Sequence, residues 1–94
     1  MKKGIKFSSH AKEKTQSRGV KVSEVTAAIK RPECLYSDVE HGTLVAIKQF
    51  GDNTIIVVYR MEDDRAKVIT VFYTSKFDRL IRGKMARGAW KREE

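Results

Sequence analysis

Three basic or ionisable side chains recur at a spacing of four near the start of the chain: His10, Lys14 and Arg18. In an α-helix, positions i, i+4 and i+8 lie along one side and drift by about 40° at each step. Because such groups repel one another, the row is more easily explained if an anion lies across it. The spacing therefore predicts a phosphate cradle in which His10 also moves a proton. It also fits two solvated cations beside a locally bonded histidine.

Hydroxyl groups gather at a predicted strand-to-helix junction, at Tyr73, Thr74 and Ser75. Hydroxyls beside a helix N-terminus suit a phosphate, because backbone N–H groups point at the ligand there. An ordinary role is the alternative, since threonine and tyrosine favour strands and Ser75 is predicted to cap the next helix. His41 and His10 would suit the base and acid of RNA cleavage. Nothing in the sequence brings them together, and we expect His41 to be a plain turn residue.

Three further cations are candidates for binding nucleic acid. Lys48 and Arg60 stand alone on predicted middle strands, where they line a groove or snorkel at the sheet edge. Lys76 lies where the third predicted helix opens. The sequence has no paired-carboxylate site, no phosphate-binding loop and no cluster with metal-ligand spacing, so we expect neither a metal nor another cofactor.

Length and composition limit the class of protein. A chain of 94 residues is expected to form a single domain, 1–94. Its longest apolar run, residues 55–59, is far shorter than the roughly 20 residues of a membrane-spanning helix. The single cysteine, Cys34, cannot form an internal disulfide, which favours a reducing cytoplasm. We therefore expect a cytoplasmic protein with no membrane partner.

The charge of the chain is unevenly distributed. The total is +8, but residues 1–31 carry +7, residues 32–64 carry −5 and residues 65–94 carry +6. If the two basic ends cover the same side of the molecule, they form a positive face that attracts polyanions, of which nucleic acid is the commonest in a cytoplasm. We therefore expect RNA as the partner. A basic surface with no dedicated partner is the alternative.

Periodicity predicts an α+β fold with two N-terminal helices, a four-stranded antiparallel meander and a C-terminal helix. Ser8 or Ser9 is predicted to cap the first helix, and Ser23 the second, which ends before Pro32. Four apolar segments with partial alternation are then predicted to be strands: residues 34–38, 43–50, 54–60 and 66–73. The turns between them are too short for parallel crossovers, so neighbouring strands are predicted to be antiparallel.

The C-terminal helix is predicted to open at Ser75, with Asp78 completing a capping box. Its apolar stripe consists of Phe77, Leu80, Ile81 and Met85. Residues 87–94 are expected to form a frayed, flexible basic tail.

Several of these residues together resemble a known pattern. The opening from Phe7 to Ala11, followed by Lys14, is similar to the start of a small uncharacterised family of bacterial, archaeal and phage proteins. The similarity continues through residues 18–20, residues 23–25, and residues 28–29 before Pro32. The segments 47–48, 57–59 and 68–73 also look like that family. Lys14 stands where the family often has arginine, which keeps the charge but loses the bidentate grip on a phosphate.

That family is grouped with the barnase–EndoU–colicin–RelE superfamily of small ribonuclease-type toxins. The resemblance implies a RelE/barnase-like fold of N-terminal helices on a four-stranded antiparallel sheet. It also implies RNA cleavage without a metal, with His10 and Arg18 contributed by the helix and Tyr73 and Thr74 by the strand. Fold alone does not set function, so this stays an analogy.

Three functions remain open. The first is an RNA-directed, toxin-like endoribonuclease, in which Lys14, Arg18 and Lys48 hold the phosphate while His10 or Tyr73 moves protons. The second is a non-catalytic nucleic-acid-binding module, whose contacts include Arg60 and Lys76. The third is a ParE-like toxin that docks on a protein through the apolar stripe of the last helix. An acidic antitoxin that covers the basic face is a further partner compatible with each.

Overall fold

The computed structural model describes residues 4–93; the sequence predictions for residues 1–3 and 94 lie outside this range. The elements follow in the order β1 (Ile5–Phe7), α1 (Ser9–Ser17), α2 (Val22–Lys30), β2 (Cys34–Asp38), β3 (Thr43–Phe50), β4 (Asn53–Glu62), β5 (Arg65–Thr74), α3 (Phe77–Ala86) and β6 (Trp90–Arg92). The predicted α+β class with three helices is confirmed.

The sheet has six strands in the order β1-β5-β4-β3-β2-β6 and is mixed, not the predicted four-stranded antiparallel meander. Strands β2 to β5 pair antiparallel in chain order. β1 adds a parallel edge to β5, and β6 adds an antiparallel edge to β2. Both added strands are three residues long, too short to show a two-residue alternation of apolar and polar side chains.

Alternating side chains on the central strands build two apolar layers. Ile55 and Val57 of β4 face α1 and α2, where Val25 and Ala28 are buried against them. Ile56, between them in sequence, faces the other side, where the layer includes Trp90 and the partly buried stripe of α3. Because successive strand residues point to opposite faces, the run of β-branched residues in β4 serves both layers.

The apolar stripe of α3 is used inside the molecule. Phe77, Leu80 and Ile81 pack against the layer that contains Ile56. Of the four stripe residues, only Met85 is an exposed large hydrophobic side chain, at 43%. The stripe is therefore largely occupied by the sheet, which leaves little of it for docking on another protein.

Only one of the three predicted helix caps forms. Ser8 caps α1, with its Oγ accepting a hydrogen bond from the backbone N–H of Ala11 at 3.0 Å. The predictions of Ser23 and Ser75 as caps are wrong. The N-cap positions of α2 and α3 are Lys21 and Lys76, and neither provides a side-chain cap.

The predicted frayed tail contains an ordered strand. Trp90 of β6 is 5% exposed, and its ring centroid lies 5.8 Å from that of Tyr36 on the neighbouring β2. The Trp90 side chain supplies enough apolar surface to hold a short strand that lacks any pattern of its own.

The helices of the two basic segments lie on opposite faces of the sheet. α1 and α2 cover one layer, whereas α3 covers the other, in which Trp90 of the edge strand β6 is also buried. The expectation that the basic ends cover one side is therefore wrong, because the direction in which the chain leaves β5 sends α3 to the far face. No helix within residues 4–93 is both long enough and apolar enough to cross a membrane.

Candidate nucleic-acid interface

Arg18 lies at the β5 edge of the sheet, just beyond the end of the short strand β1. It is the C-cap of α1, and its backbone N–H bonds to the carbonyl of Lys14 at 2.9 Å. Its Nη1 donates to the carbonyl oxygen of Val71 at 2.7 Å. β1 pairs with β5 only over Ala66–Val68, so Val71 lies beyond the end of that edge strand. Arg18 therefore supplies the hydrogen bond that a longer β1 would have made.

The guanidinium of Arg18 also lies beside an aromatic ring. Its central carbon is 6.0 Å from the centroid of the Phe72 ring, within the range of a cation–π contact. Arg18, Phe72 and Tyr73 line an open cleft of about 580 Å³, which we call the Arg18 cleft. A guanidinium carries five N–H donors, so a bond to Val71 leaves donors that can reach a ligand in this cleft.

Tyr73 forms a hydrogen bond with a carboxylate from another element. Its hydroxyl donates to Oε1 of Glu24, in the first turn of α2. Burial raises the pKa of Tyr73, and the hydrogen bond to Glu24 and the carboxylate charge raise it further, whereas a backbone contact from Lys21 lowers it. Tyr73 is therefore a proton donor at neutral pH, and Glu24 is the adjacent acceptor.

Glu24 was missed as a site residue in the sequence analysis. The available signal was its position, since Glu24 is the acidic residue of the first turn of α2 and immediately precedes the buried Val25. What the sequence does not show is its partner, which lies 49 residues away.

His10 and Lys14 lie on α1 as predicted, next to its buried face. Ala11 and Thr15 are the buried residues of α1, so the row from His10 to Arg18 runs alongside them. His10 is exposed and Lys14 is half-buried. At 1.5 Å per residue, His10 lies about 12 Å from Arg18 along the helix axis. The row therefore leads along α1 towards the Arg18 cleft.

Thr74 and Lys76 belong to the opposite face of the sheet. Thr74 is paired with Thr54, one register step beyond the Tyr73–Ile55 pair, so its side chain points away from that of Tyr73. Its Oγ1 accepts a hydrogen bond from the backbone N–H of Lys76 at 3.0 Å. Thr74 therefore organises the turn into α3 and does not join Arg18 and Tyr73.

Lys48 and Arg60 lie away from the Arg18 cleft. Lys48 shares a row with Tyr73, because both are register partners of Ile55, but two strand spacings separate them. Its Nζ donates to the carbonyl of Arg31 at 3.0 Å, beyond the last residue of α2. Lys48 and Tyr73 thus attach the two ends of α2 to the sheet. Arg60 lies 3.9 Å from a carboxylate oxygen of Glu62, near the β4–β5 turn.

His41 belongs to a hydrogen-bonded turn between β2 and β3. Asp38 accepts bonds from the backbone N–H groups of Glu40 and His41, from His41 Nδ1 and from Trp90 Nε1. Burial alone would raise the pKa of Asp38, but the side-chain and backbone hydrogen bonds from His41 outweigh it, so the pKa is lowered. Since β5, on which α1 packs, lies three strand spacings or about 14 Å from β2, the two histidines are not paired.

One group of side chains in the described part of the chain has the composition of a metal site. Ligand atoms of Asp38, Glu40 and His41 lie within 4.8 Å of one another. The carboxylate of Asp38 already accepts bonds from backbone, imidazole and indole donors. We therefore interpret this group as the anchor of the turn and of β6.

Comparison with known proteins places the chain in a family. The model described as "Domain of unknown function (DUF4258)" matches residues 7–73, and the chain belongs to that family. The matched segment includes Arg18, Glu24 and Tyr73 and ends before α3 and β6. Searches of curated proteins and of solved structures found no match.

Proposed function

We propose that this member of the DUF4258 family is an RNA-directed protein that binds a single-stranded segment at the Arg18 cleft. The observation that carries the proposal is the guanidinium of Arg18, held 2.7 Å from the carbonyl of Val71 and 6.0 Å from the ring of Phe72. A cation for the phosphate beside an aromatic surface for a base is the usual combination in single-strand binding. The net charge of +8 adds a general attraction for a polyanion.

The neighbouring basic residues extend this contact along α1. A strand bound at Arg18 would continue past Lys14 to the exposed His10. Such a path accounts for the row of three cations or cationisable groups on one side of a short helix. The small family that the opening motif resembles is grouped by analogy with the barnase–EndoU–colicin–RelE superfamily, and on that analogy we extend the proposal to a RelE-like fold with two added edge strands. A cytoplasmic location and an acidic antitoxin as partner belong to the same proposal.

Cleavage of the bound RNA is a second candidate, favoured by the Tyr73–Glu24 hydrogen bond beside Arg18. In this scheme Glu24 accepts the proton of the ribose 2′-hydroxyl, whose oxygen attacks the phosphorus. The bond to the 5′-oxygen breaks, and Tyr73 protonates the leaving oxygen. The products are a 2′,3′-cyclic phosphate and a 5′-hydroxyl. Transfer of the proton from Glu24 to the adjacent Tyr73 restores both groups.

Binding is tested by fluorescence anisotropy with a labelled uridine oligoribonucleotide over a series of salt concentrations. We expect Arg18→Gln to weaken binding about tenfold, since a hydrogen bond to a charged group contributes about 1.5 kcal/mol or more. The matched control is Arg60→Gln, which removes the same charge near the β4–β5 turn and is expected to change affinity less than threefold. Equal losses for the two variants, or binding that does not respond to salt, would refute the proposal.

Cleavage is tested separately, by incubating the oligoribonucleotide with the protein in the presence of a chelator. We expect a cyclic phosphate product that Tyr73→Phe and Glu24→Gln each reduce by at least tenfold while RNA affinity is retained. Intact RNA after long incubation with folded protein would remove the catalytic candidate and leave the binding proposal in place.

A further inference from the structure

We propose that a second cleft, on the other face of the sheet, binds the next phosphates of the same RNA strand. This α3 cleft, of about 430 Å³, is lined by residues of α3 and of the segment that leads into it, including Lys76, Arg79 and Arg82, and by residues around the β3–β4 turn. This inference rests on the proposed binding of RNA at the Arg18 cleft, and it extends the contact to a longer single strand.

The two clefts meet at the same end of β5. Phe72 and Tyr73 line the Arg18 cleft, and Ser75 and Lys76 line the α3 cleft. The intervening Thr74 is the register partner of Thr54, which also lines the α3 cleft. At about 3.3 Å per strand residue, the two linings are separated by about one nucleotide step along β5.

The edge of β5 is open where a strand would have to cross it. β1 pairs with β5 only as far as Val68, so no strand among residues 4–93 pairs with residues 69–74 of β5 on that side. Arg18 belongs to the α1 side, but its guanidinium lies by the ring of Phe72, which packs in the layer under α3. Arg18 therefore already spans the edge between the two faces.

The charges of the α3 cleft favour an anion. Lys76, Arg79 and Arg82 are exposed cations, and none of them is within 4.0 Å of a carboxylate oxygen among residues 4–93. Two carboxylates, Asp52 and Asp78, also line the cleft, so the cations are in excess by one. Arg82 Nε donates to the backbone carbonyl of Asp78 at 3.4 Å, which leaves its other guanidinium N–H groups for a ligand. The cleft therefore carries a small net positive charge, and a phosphodiester placed among the three cations would reduce their mutual repulsion.

The rest of the lining is also suited to a sugar–phosphate strand. The side chains of Gln49, Thr54 and Ser75 add hydrogen-bonding groups between the cations and the β3–β4 turn. Ser75 is exposed and does not cap α3. Arg18 of the first basic segment and Lys76 of the second thus lie near the same end of β5, on different faces of the sheet.

The test compares two double variants that remove the same charge. Arg79→Gln with Arg82→Gln alters the α3 cleft. Arg60→Gln with Lys67→Gln alters a cross-strand pair about 20 Å along β4 from Thr54. Affinity for a long and a very short labelled oligoribonucleotide is measured against salt concentration. Thermal unfolding of each variant confirms that it is folded.

We expect the α3 variant to weaken binding of the long RNA about tenfold and to reduce the slope of log affinity against log salt by about 1.4, since each lost phosphate contact removes about 0.7. The very short RNA should be sensitive to Arg18→Gln and insensitive to the α3 variant. Arg79→Lys with Arg82→Lys should keep the wild-type slope, because it retains the charge.

Two failures are distinguishable in this design. If the α3 variant matches the Arg60/Lys67 control while Arg18→Gln still weakens binding, the second subsite is refuted and RNA binding at the Arg18 cleft stands. If the wild-type protein shows no salt-dependent binding of either RNA, the proposed function fails and the second subsite fails with it.

Discussion

Removal of the Asp38 carboxylate should destabilise the protein strongly, because this side chain connects the β2–β3 turn to β6. Its Oδ1 accepts hydrogen bonds from the backbone N–H groups of Glu40 at 3.0 Å and His41 at 3.1 Å, and its Oδ2 accepts one from Trp90 Nε1 at 3.3 Å. The Asp38 side chain is only 11% exposed, and Trp90 is 5% exposed. Water therefore cannot readily replace the bond to the indole.

The loss of stability expected for Asp38→Ala can be worked out from these hydrogen bonds. A buried indole N–H without an acceptor costs about 1–3 kcal/mol, and loss of the two turn bonds, which water partly replaces, adds about 1 kcal/mol. We expect a total of about 3 kcal/mol in the free energy of unfolding. For a domain of this size, such a loss lowers Tm by about 15 °C. Urea unfolding followed by the fluorescence of Trp90, the single tryptophan, measures it directly.

The pH dependence provides a second measurement on the same group. Because the pKa of Asp38 is lower in the folded protein, the folded state binds fewer protons than the unfolded state near the ordinary aspartate pKa of about 3.9. The stabilisation is therefore complete above that pH and is lost as pH falls through the folded-state pKa. Asp38→Asn should remove this part of the acid sensitivity, since the amide does not titrate.

The control for Asp38 lies in the same turn. Glu40 is exposed, so Glu40→Gln should change the free energy of unfolding by less than about 0.5 kcal/mol. The reasoning is refuted if Asp38→Ala unfolds at the same urea concentration as Glu40→Gln, or if Asp38→Asn keeps the full acid sensitivity of the wild type.

Four further substitutions test the fold around the site. Trp90→Ala should cost about 3–5 kcal/mol by circular dichroism in urea, whereas a frayed tail would give no change. Tyr73→Phe should cost about 1 kcal/mol in the same assay, because the Glu24 carboxylate loses its hydroxyl donor. Ser8→Ala should cost about 1 kcal/mol through loss of the α1 cap, seen as a lower Tm. Gly19→Ala should lower Tm by a similar amount, since φ is +64° and no neighbouring atom would contact the added methyl group, so the cost is backbone strain alone.

Local patterns in the sequence predicted the features that depend on neighbouring residues. The row of His10, Lys14 and Arg18 is on α1, as helical spacing requires. The Ser8 cap formed because its partner, the N–H of Ala11, is three residues away. The α+β class followed from the change of period between the first third and the middle of the chain, because each period reflects the geometry of one element.

Contacts between distant parts of the chain were not predicted, and they make the site. Arg18 is bonded to Val71, 53 residues away, because β1 ends too early to pair with that part of β5. Glu24 reaches Tyr73 only because α2 lies across the sheet. Neither contact leaves a periodic signal, since each depends on the pairing of strands and the packing of helices.

The sequence by itself determined the number and order of the helices, the strongly basic ends and the side chains available for binding an anion. Only the tertiary structure decided where those charges lie. Successive side chains of β4 and β5 point to opposite faces and build two apolar layers, and α3 packs on the layer opposite α1 and α2. The net charge of a segment can be counted from the sequence. The position of those charges in space depends on which face of the sheet each helix packs against.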